Sequence, residues 1–148
     1  FEPNPLIFND LKINLEKIIS NIQIFNYALS NEDGVTKLKI PNRGKSIFNE
    51  NYEELFKLGA ASIHQSNNLD NYQSFDVSKK KLDDIINRSD KVGFIKIDVE
   101  GHENEVIDGA KKVINENKPV LLVEIEEKHT NKPLDISINR IKKLGYEC

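Results

Sequence analysis

Three side chains that can transfer protons stand close together in the second half of the sequence: Asp98, Glu100 and His102. Two neighbouring carboxylates can bind a divalent cation or share a proton, and an imidazole can act as a general base near neutral pH. The alternative interpretation is that the acids only cap the helix that follows, and that the histidine is structural or exposed. The local pattern by itself leaves both interpretations open.

The residues on either side predict how the chain positions this group. Phe94–Ile97 is a short apolar run typical of a buried strand, and Gly101 allows the backbone to turn after it. An amphipathic helix and a second strand, Val120–Ile125, are predicted next. The inward face of that helix would carry Val106, Ile107, Ala110, Val113 and Ile114. Ligands of open α/β sheets bind at the carboxyl ends of the strands, so we expect the group at a binding cleft.

Acidic and polar residues elsewhere could reach the same cleft. Glu124 and His129 follow the second strand, although a charged run there is more often a solvated loop. Glu2 ends a short extended segment, and an acid in that position of a dinucleotide-type sheet can accept both ribose hydroxyls. The alternative for Glu2 is an acid favoured by the dipole of a following helix. Asn4 and Pro5 predict the start of that helix.

Apolar spacing predicts the remaining elements of one continuous α/β domain. Residues 35–81 are expected to be an insertion that selects the substrate, because inserted loops commonly carry such specificity. The predicted elements are a helix from Pro5 to Ile19, a strand at Ile22–Leu29, an antiparallel strand at Val35–Ile40, a helix at Asn49–Leu58, strands at Gly59–Ile63 and Tyr72–Val77, a helical turn at Leu82–Ile86 and a helix at Pro133–Leu144.

Composition excludes several classes of protein. The 148 residues carry a net charge of −3, so no basic field attracts nucleic acid or an anionic membrane. No apolar run approaches the roughly 20 residues of a membrane span. The single Cys148 excludes an internal disulfide and predicts a reducing, cytoplasmic compartment. The three histidines lack the close helical spacing of a zinc site, so no metal is predicted.

Several short motifs together resemble the FkbM family of S-adenosylmethionine-dependent methyltransferases. They follow one another in the family's order along nearly the whole chain, and Ile95–Glu103, IKIDVEGHE, is the most specific. The others are Phe1–Pro5, Ala28–Ser30 with Asp33-Gly34, Leu82–Asp84, Gly109-Ala110 and Val123–Ile125. The absence of a methionine before Phe1, and a strand-like start at residues 146–148, predict that both ends are cuts through a larger domain.

The resemblance implies a Rossmann-like methyltransferase sheet, mostly parallel, that binds S-adenosylmethionine. It implies transfer of a methyl group to a hydroxyl of a sugar, a glycan or another natural product. Glu2 would hold the cofactor ribose, and Ala28 and Leu29 would lie near the adenine. The full set of cofactor-binding residues would be Glu2, Asn4, Ala28, Leu29 and Asp98.

The same resemblance implies that Asp98, Glu100 and His102 are catalytic residues, with His102 or Asp98 as the base. Glu124 and His129 would form the substrate side of the cleft. The family's glycine-rich cofactor loop and its strand precede the Phe-Glu-Pro motif, and this sequence contains neither. The chain alone is therefore expected to bind the cofactor weakly at most. A nicotinamide-dependent oxidoreductase and a non-catalytic binding module remain open as alternatives.

Overall fold

A computed structural model describes residues 1–41, 61–63, 72–127 and 133–147 of the chain. Helices and strands alternate along these segments in a mixed α/β arrangement. In chain order they are α1 (Phe8–Ile18), β1 (Ala28–Leu29), β2 (Gly34–Pro41), β3 (Tyr72–Lys80), a 3₁₀ helix (Leu82–Asp84), β4 (Phe94–Ile97), α2 (Glu103–Gly109), α3 (Lys111–Asn117), β5 (Val120–Val123) and α4 (Leu134–Lys143).

The second half of the chain forms the predicted strand–helix–strand unit. β4 and β5 pair in parallel, with Phe94 opposite Val120 and Ile97 opposite Val123. The five predicted inward-facing residues of the connecting segment are all buried, which confirms its amphipathic pattern. They form a hydrophobic core with Leu82, Ile97, Ile141 and Leu144. The helix predicted at the chain's end is confirmed as α4, and Gly145 follows it at φ +86°.

The connecting helix is interrupted, which the apolar spacing did not predict. It breaks at Ala110 into α2 and α3, and the Asp83 carboxylate accepts the N–H groups of Lys112 (3.0 Å) and Val113 (2.9 Å). These hydrogen bonds satisfy backbone donors at the start of α3. Gly109 is required just before the break, because a Cβ there would lie 1.9 Å from the Ser30 carbonyl oxygen.

The first half of the chain contributes a separate three-stranded sheet in the order β1-β3-β2. β2 and β3 are antiparallel, from Gly34 opposite Lys79 to Pro41 opposite Tyr72, and β1 is parallel to β3. The strands predicted at Val35–Ile40 and at Tyr72–Val77 are therefore confirmed, and they pair with each other. Ser62 forms an isolated bridge with Lys39. The helix predicted at residues 49–58 lies outside the described residues.

The prediction of a strand over residues 22–29 is wrong for most of its length. β1 contains only Ala28 and Leu29. A strand needs a continuous ladder of backbone hydrogen bonds. Before β1 this segment shows one backbone bond to the N-terminal residues, from Glu2 N–H to the Phe25 carbonyl at 2.9 Å. Side-chain packing replaces the ladder, since the rings of Phe1 and Phe25 stack 5.2 Å apart.

The first helix also begins later than predicted. α1 starts at Phe8 rather than at Pro5, and Asn4 caps the turn before it, with Oδ1 accepting the Leu6 N–H at 3.0 Å. No residue of α1 is buried. The parallel pairs β1–β3 and β4–β5 are short, and the longest described pairing is antiparallel. The described fold is therefore mixed α/β.

Candidate active site

A cavity of about 670 Å³ lies between the N-terminal segment, β1 and the whole length of β4. Five of the predicted site residues line it, although they are far apart in sequence. These are Glu2, Ala28, Leu29, Asp98 and His102. Most of the other lining side chains are apolar, so polar groups are concentrated at a few positions. Such cavities commonly bind small molecules, with a few polar groups fixing the orientation of the ligand.

The Glu2 carboxylate is anchored by its own segment. Oε1 accepts the N–H of Asn4 at 2.8 Å, and the Glu2 backbone is tied to Phe25. Within the described part of the chain, the second carboxylate oxygen has no hydrogen-bond partner. An ionised carboxylate can accept about four hydrogen bonds, so Glu2 keeps capacity for hydroxyl donors of a ligand.

Asp98 stands at the carboxyl end of β4 and pairs with a lysine of the same strand. Its Oδ2 lies 2.6 Å from Lys96 Nζ, and the Asp98 side chain is 37% exposed. The hydrogen bond to Asp98 raises the pKa of Lys96, and the charges of Asp98 and Glu124 add to the increase although desolvation opposes it. Both residues line the cavity, which therefore holds an ion pair beside its predicted catalytic position.

His102 is held between two segments at the start of α2. Its Nε2 lies 3.0 Å from the hydroxyl of the buried Ser30, and its Nδ1 lies 3.7 Å from Glu105 Oε2. The Ser30 hydroxyl in turn donates to Asn31 Oδ1 at 3.3 Å. The histidine side chain is 14% exposed. The ring is thus fixed by contacts from the β1 side and from its own helix.

The turn between Asp98 and His102 has an unusual backbone conformation. Glu100 has φ +51° and Gly101 has φ +102°, in the left-handed region that most residues avoid. Two buried side chains stabilise the turn: Ser62 donates to the Glu100 carbonyl at 2.8 Å, and Glu103 accepts the Gly101 N–H at 2.8 Å. Strained backbone is often found at functional sites because surrounding contacts hold it in place.

Not every predicted site residue reaches the cavity. Asn4 is fully buried and Glu100 contributes its carbonyl to the turn, and neither lines the cavity. Glu124 is exposed outside the lining, although its N–H bonds the Ile97 carbonyl at 2.9 Å and so places it beside the end of β4. His129 lies outside the described residues. The substrate-binding roles predicted for Glu124 and His129 stay predictions.

Lys96, Glu105 and Ser30 are site residues that the sequence reasoning missed. Lys96 could have been found by strand alternation, since residues two apart in a strand face the same side and Lys96 precedes Asp98 by two. Glu105 stands three positions after His102, the spacing of neighbours on a helix surface. Ser30 belongs to the Ala28–Ser30 motif, but its contact with residue 102 depends on tertiary packing that no local pattern encodes.

An aromatic cluster includes two residues, Phe1 and Tyr27, that line the cavity with Glu2. The rings of Phe1, Phe25 and Tyr27 pack with centroids 5.2–5.8 Å apart, and Lys80 Nζ lies 6.0 Å from the Tyr27 ring. Desolvation raises the pKa of Tyr27 above its ordinary value. This side of the cavity therefore offers flat apolar surface next to a carboxylate.

The described residues include no group of three or more histidine, cysteine, aspartate or glutamate side chains that could hold a metal ion. Within the same part of the chain, no helix is long and apolar enough to cross a membrane. The candidate site is therefore an apolar cavity with two carboxylates, one lysine and one histidine, Glu2, Asp98, Lys96 and His102.

The family described as the methyltransferase FkbM domain matches residues 1–148. The chain therefore belongs to the FkbM methyltransferase family, as the motifs predicted.

Among solved structures, the chain is similar to the crystal structure of methyltransferase FkbM from Methylobacillus flagellatus KT at 2.20 Å resolution. The two sequences are 21% identical, the TM-score is 0.59, and the match covers 97% of this chain. The chain spans 29% of the length of that relative, and the likeness supports the fold. No curated protein matches the sequence.

Proposed function

We propose that the chain is part of an S-adenosylmethionine-dependent O-methyltransferase that acts on a hydroxyl of a sugar, a glycan or another natural product. The observation that carries the proposal is the shared cavity. Glu2, at one end of the sequence, lines the same cavity as Asp98 and His102. A ribose-binding acid and a candidate base in one cleft are what methyl transfer from this cofactor needs. Membership of the FkbM family supports the methyl-transfer class over a nicotinamide-dependent one.

The lining residues fit the proposed cofactor in size and in chemistry. Ligand cavities typically measure about 300–1,000 Å³, and this one measures about 670 Å³. Glu2 would accept hydrogen bonds from the ribose hydroxyls, and Ala28 and Leu29 would supply apolar contacts for the adenine. Bound there, the cofactor would supply an electrophilic methyl group on its sulfonium. Asp98, which lines the same cavity, would stand beside the reacting group.

The chain's own contribution to the chemistry would be alignment and proton removal. A hydroxyl attacks an electrophilic carbon well only when it is held in line and loses its proton as it reacts. Asp98 and His102 both line the cavity, and either carries an atom that can accept that proton. Lys96 would hold the Asp98 carboxylate in place. Glu100 would act through the shape of the turn.

The inserted region is our candidate for recognition of the methyl acceptor. Leu38, Ala61 and Ile63 belong to residues 35–81 and line the cavity. Their apolar side chains would favour the carbon-rich face of an acceptor. Glu124 and His129 stay our candidates for further acceptor contacts. The single Cys148 favours a reducing, cytoplasmic location.

We also propose that the two described sheets belong to one Rossmann-like sheet. β4 pairs with β5 on one edge, and its residues line the cavity. The Glu2 N–H donates to the Phe25 carbonyl, as it would if the two segments were neighbouring strands of one sheet. A strand set between residues 1–3 and β4 would join the two halves.

The experiment is transfer of an isotopically labelled methyl group from S-adenosylmethionine to a panel of sugars, glycans and hydroxylated natural products. Label recovered in an acceptor, and lost with Asp98→Asn, supports the proposal. Reduction of the same panel by a nicotinamide cofactor, without methyl transfer, would instead favour the oxidoreductase alternative. If the cofactor binds but no acceptor of the panel receives label, only the cofactor-binding part of the proposal would be supported.

A further inference from the structure

One peptide group in the turn after β4 is held at both ends by buried side chains. Its carbonyl, which belongs to Glu100, accepts the Ser62 hydroxyl at 2.8 Å, and its N–H, which belongs to Gly101, donates to Glu103 Oε1 at 2.8 Å. A carbonyl oxygen only accepts and an N–H only donates, so both hydrogen bonds have a fixed direction. Ser62 and Glu103 are 1% and 2% exposed. The orientation of this peptide plane is therefore set from two sides.

The chain around this peptide group does not fix its orientation by itself. Glu100 has φ +51°, in a region that side chains disfavour, and Gly101 follows at φ +102°. Glycine tolerates many backbone conformations, so the plane depends on its two hydrogen bonds. Asp98 precedes Glu100 by two positions and His102 directly follows Gly101. Rotation of the plane would therefore change the path of the chain between the two candidate bases.

The Ser62 hydroxyl is supplied by the inserted region, from a segment with two sides. Ser62 bonds Lys39 of β2 through both of its backbone groups, at 3.0 and 3.1 Å, which fixes the backbone of segment 61–63. Successive side chains of an extended segment point in opposite directions. Ala61 and Ile63 line the cavity, whereas Ser62 reaches the turn. One short segment therefore contacts both the cavity and the turn.

The cavity side of segment 61–63 is packed against the sheet of the first half. Ala61 and Ile63 are partly buried against a cluster that includes Leu38, which also lines the cavity. A ligand that fills this part of the cavity would press on these side chains. Closely packed interiors transmit small displacements, so movement of Ala61 or Ile63 would carry Ser62 with it. The hydrogen bond to the Glu100 carbonyl would pass that movement to the turn.

We propose that segment 61–63 couples the occupancy of the cavity to the turn. Ala61 and Ile63 would contact the bound methyl acceptor, and Ser62 would be a positioning residue that sets the peptide group between Glu100 and Gly101. The identity of the ligand rests on the proposed function, whereas the link between the cavity wall and the turn does not. An acceptor that fits against the segment would favour the arrangement in which the Ser62 hydrogen bond is formed. Acceptors would then be distinguished by the rate of transfer as well as by affinity.

The test is a double-mutant cycle read at the Gly101 amide in ¹H–¹⁵N spectra of the labelled chain, which needs neither cofactor nor acceptor. Ala61→Val enlarges a side chain of the cavity wall and should displace the Gly101 signal. Combined with Ser62→Ala, the same change should displace that signal by less than half as much, because the link is lost. Ile63→Val removes one methyl group and should show the same dependence. It supplies the measurement if Ala61→Val does not fold.

Ile86→Val is the matched control, because Ile86 lines the same cavity outside segment 61–63. Its effect on the Gly101 signal should be equal with and without Ser62→Ala. If the displacements caused by Ala61→Val and Ile63→Val are also equal in the two backgrounds, the coupling is overturned and the proposed function is unaffected.

The role of Ser62 in transfer is measured with the complete enzyme and the acceptor that takes label in the panel experiment. Ser62→Ala should lower kcat by about 2–10-fold, the contribution of one hydrogen bond, and should leave the acceptor KM within about 2-fold. An unchanged kcat, with or without a raised KM, would overturn the positioning role. Coupling at Gly101 in a protein that binds cofactor but transfers no methyl group would support the link and contradict the proposed function.

Discussion

The two polar sides of the cavity are built in different ways. The catalytic side, residues 98–103, is held by buried contacts from distant parts of the chain: Ser30 on His102 and Ser62 on the Glu100 carbonyl. The N-terminal side, residues 1–4, is held by local side-chain bonds, from Asn4 N–H to Glu2 and from Leu6 N–H to Asn4, and by one backbone bond and ring stacking with Phe25. Long-range contacts fix one side, and local turns with aromatic packing shape the other.

This difference predicts that one side of the cavity determines the rate of transfer and the other determines cofactor affinity. Interactions that act only in the transition state need groups held rigidly before the reaction begins. The catalytic side meets that requirement, so its variants should lower the rate and leave cofactor affinity nearly unchanged. The N-terminal side is closer to a simple docking surface, so its variants should lower affinity and leave the rate of bound enzyme nearly unchanged.

The largest expected effects belong to the catalytic side. His102→Ala and Asp98→Asn should each lower the single-turnover rate of methyl transfer by about 10²–10⁴-fold, the usual contribution of a positioned base. Cofactor affinity should stay within a few-fold of wild type. The measurement is single-turnover transfer by the complete enzyme at saturating cofactor, over a range of pH.

Glu116→Gln, an exposed change on α3, is the control for these two variants. If His102→Ala stays within a few-fold of wild type while Asp98→Asn is inactive, the base is Asp98. If both retain full activity, the catalytic side has been assigned to the wrong part of the cavity.

The next effect concerns the N-terminal side. Glu2→Gln should weaken cofactor binding by about 1.5–3 kcal/mol, the usual worth of hydrogen bonds to a charged group. The change keeps the size of the side chain, so the Asn4 turn should survive. Glu16→Gln on the exposed α1 helix is the matched control. Equal cofactor affinity for wild type and Glu2→Gln, measured by calorimetry, would remove Glu2 from the binding site.

A smaller effect concerns the ion pairs that hold α2, the helix that follows the catalytic side. Asp108 binds Arg140 of α4 and Lys111, and so ties α2 to the C-terminal helix. Burial raises the pKa of the Asp108 carboxyl, but hydrogen bonds from Lys111 and Arg140 outweigh it and hold the pKa below its ordinary value. Asp108→Asn should lower the free energy of unfolding by about 1–2 kcal/mol, with allowance for partial exposure.

The pH dependence of that effect has a definite sign. Because the folded pKa is lowered, the contribution of Asp108 is complete above the unfolded value of about 3.9 and disappears as pH falls through the folded value. Urea unfolding of wild type and variant at several pH values should therefore converge in acid. Asp76→Asn, which breaks an exposed pair with Lys37, should change stability by no more than about 0.5 kcal/mol.

The smallest effect concerns the turn. Ser62→Ala removes the hydrogen bond to the Glu100 carbonyl and should lower the free energy of unfolding by about 0.5–1.5 kcal/mol. Its effect on transfer rate should exceed its effect on cofactor affinity, because it loosens only the catalytic side. Ser78→Ala, an exposed change on β3, should alter neither. If Ser62→Ala weakens cofactor binding as much as it slows transfer, the prediction that the catalytic side acts mainly on the rate is wrong.

The sequence predicted the parts of the fold that depend on local periodicity. The apolar spacing of Val106 to Ile114 and the alternation of residues 35–40 both correspond to observed elements. It failed for residues 22–27, where strand formation depends on a partner supplied by tertiary structure. It also missed the break at Ala110, after which the distant Asp83 side chain accepts two N–H groups at the start of α3.

The candidate site shows the same limit. Motif positions predicted that Glu2, Asp98 and His102 would share a cleft, and the cavity does bring them together. The same motifs could not show that Asn4 is buried and that its side chain caps the turn before α1. They also gave no sign that Ser30 and Ser62 would hold the catalytic side, because contacts across 72 and 38 residues leave no periodic signal.

We propose that one cavity holds the cofactor between Glu2 and Asp98. It is tested most directly by titrating the ¹⁵N-labelled chain with S-adenosylhomocysteine, the unreactive product, and following the backbone amides. Even weak, millimolar binding is visible in such spectra. We expect saturable shift changes at Glu2, Ala28, Leu29 and Asp98, reduced in Glu2→Gln. Changes confined to the surface of α4, or none when the complete protein is titrated with millimolar ligand, would contradict this proposal.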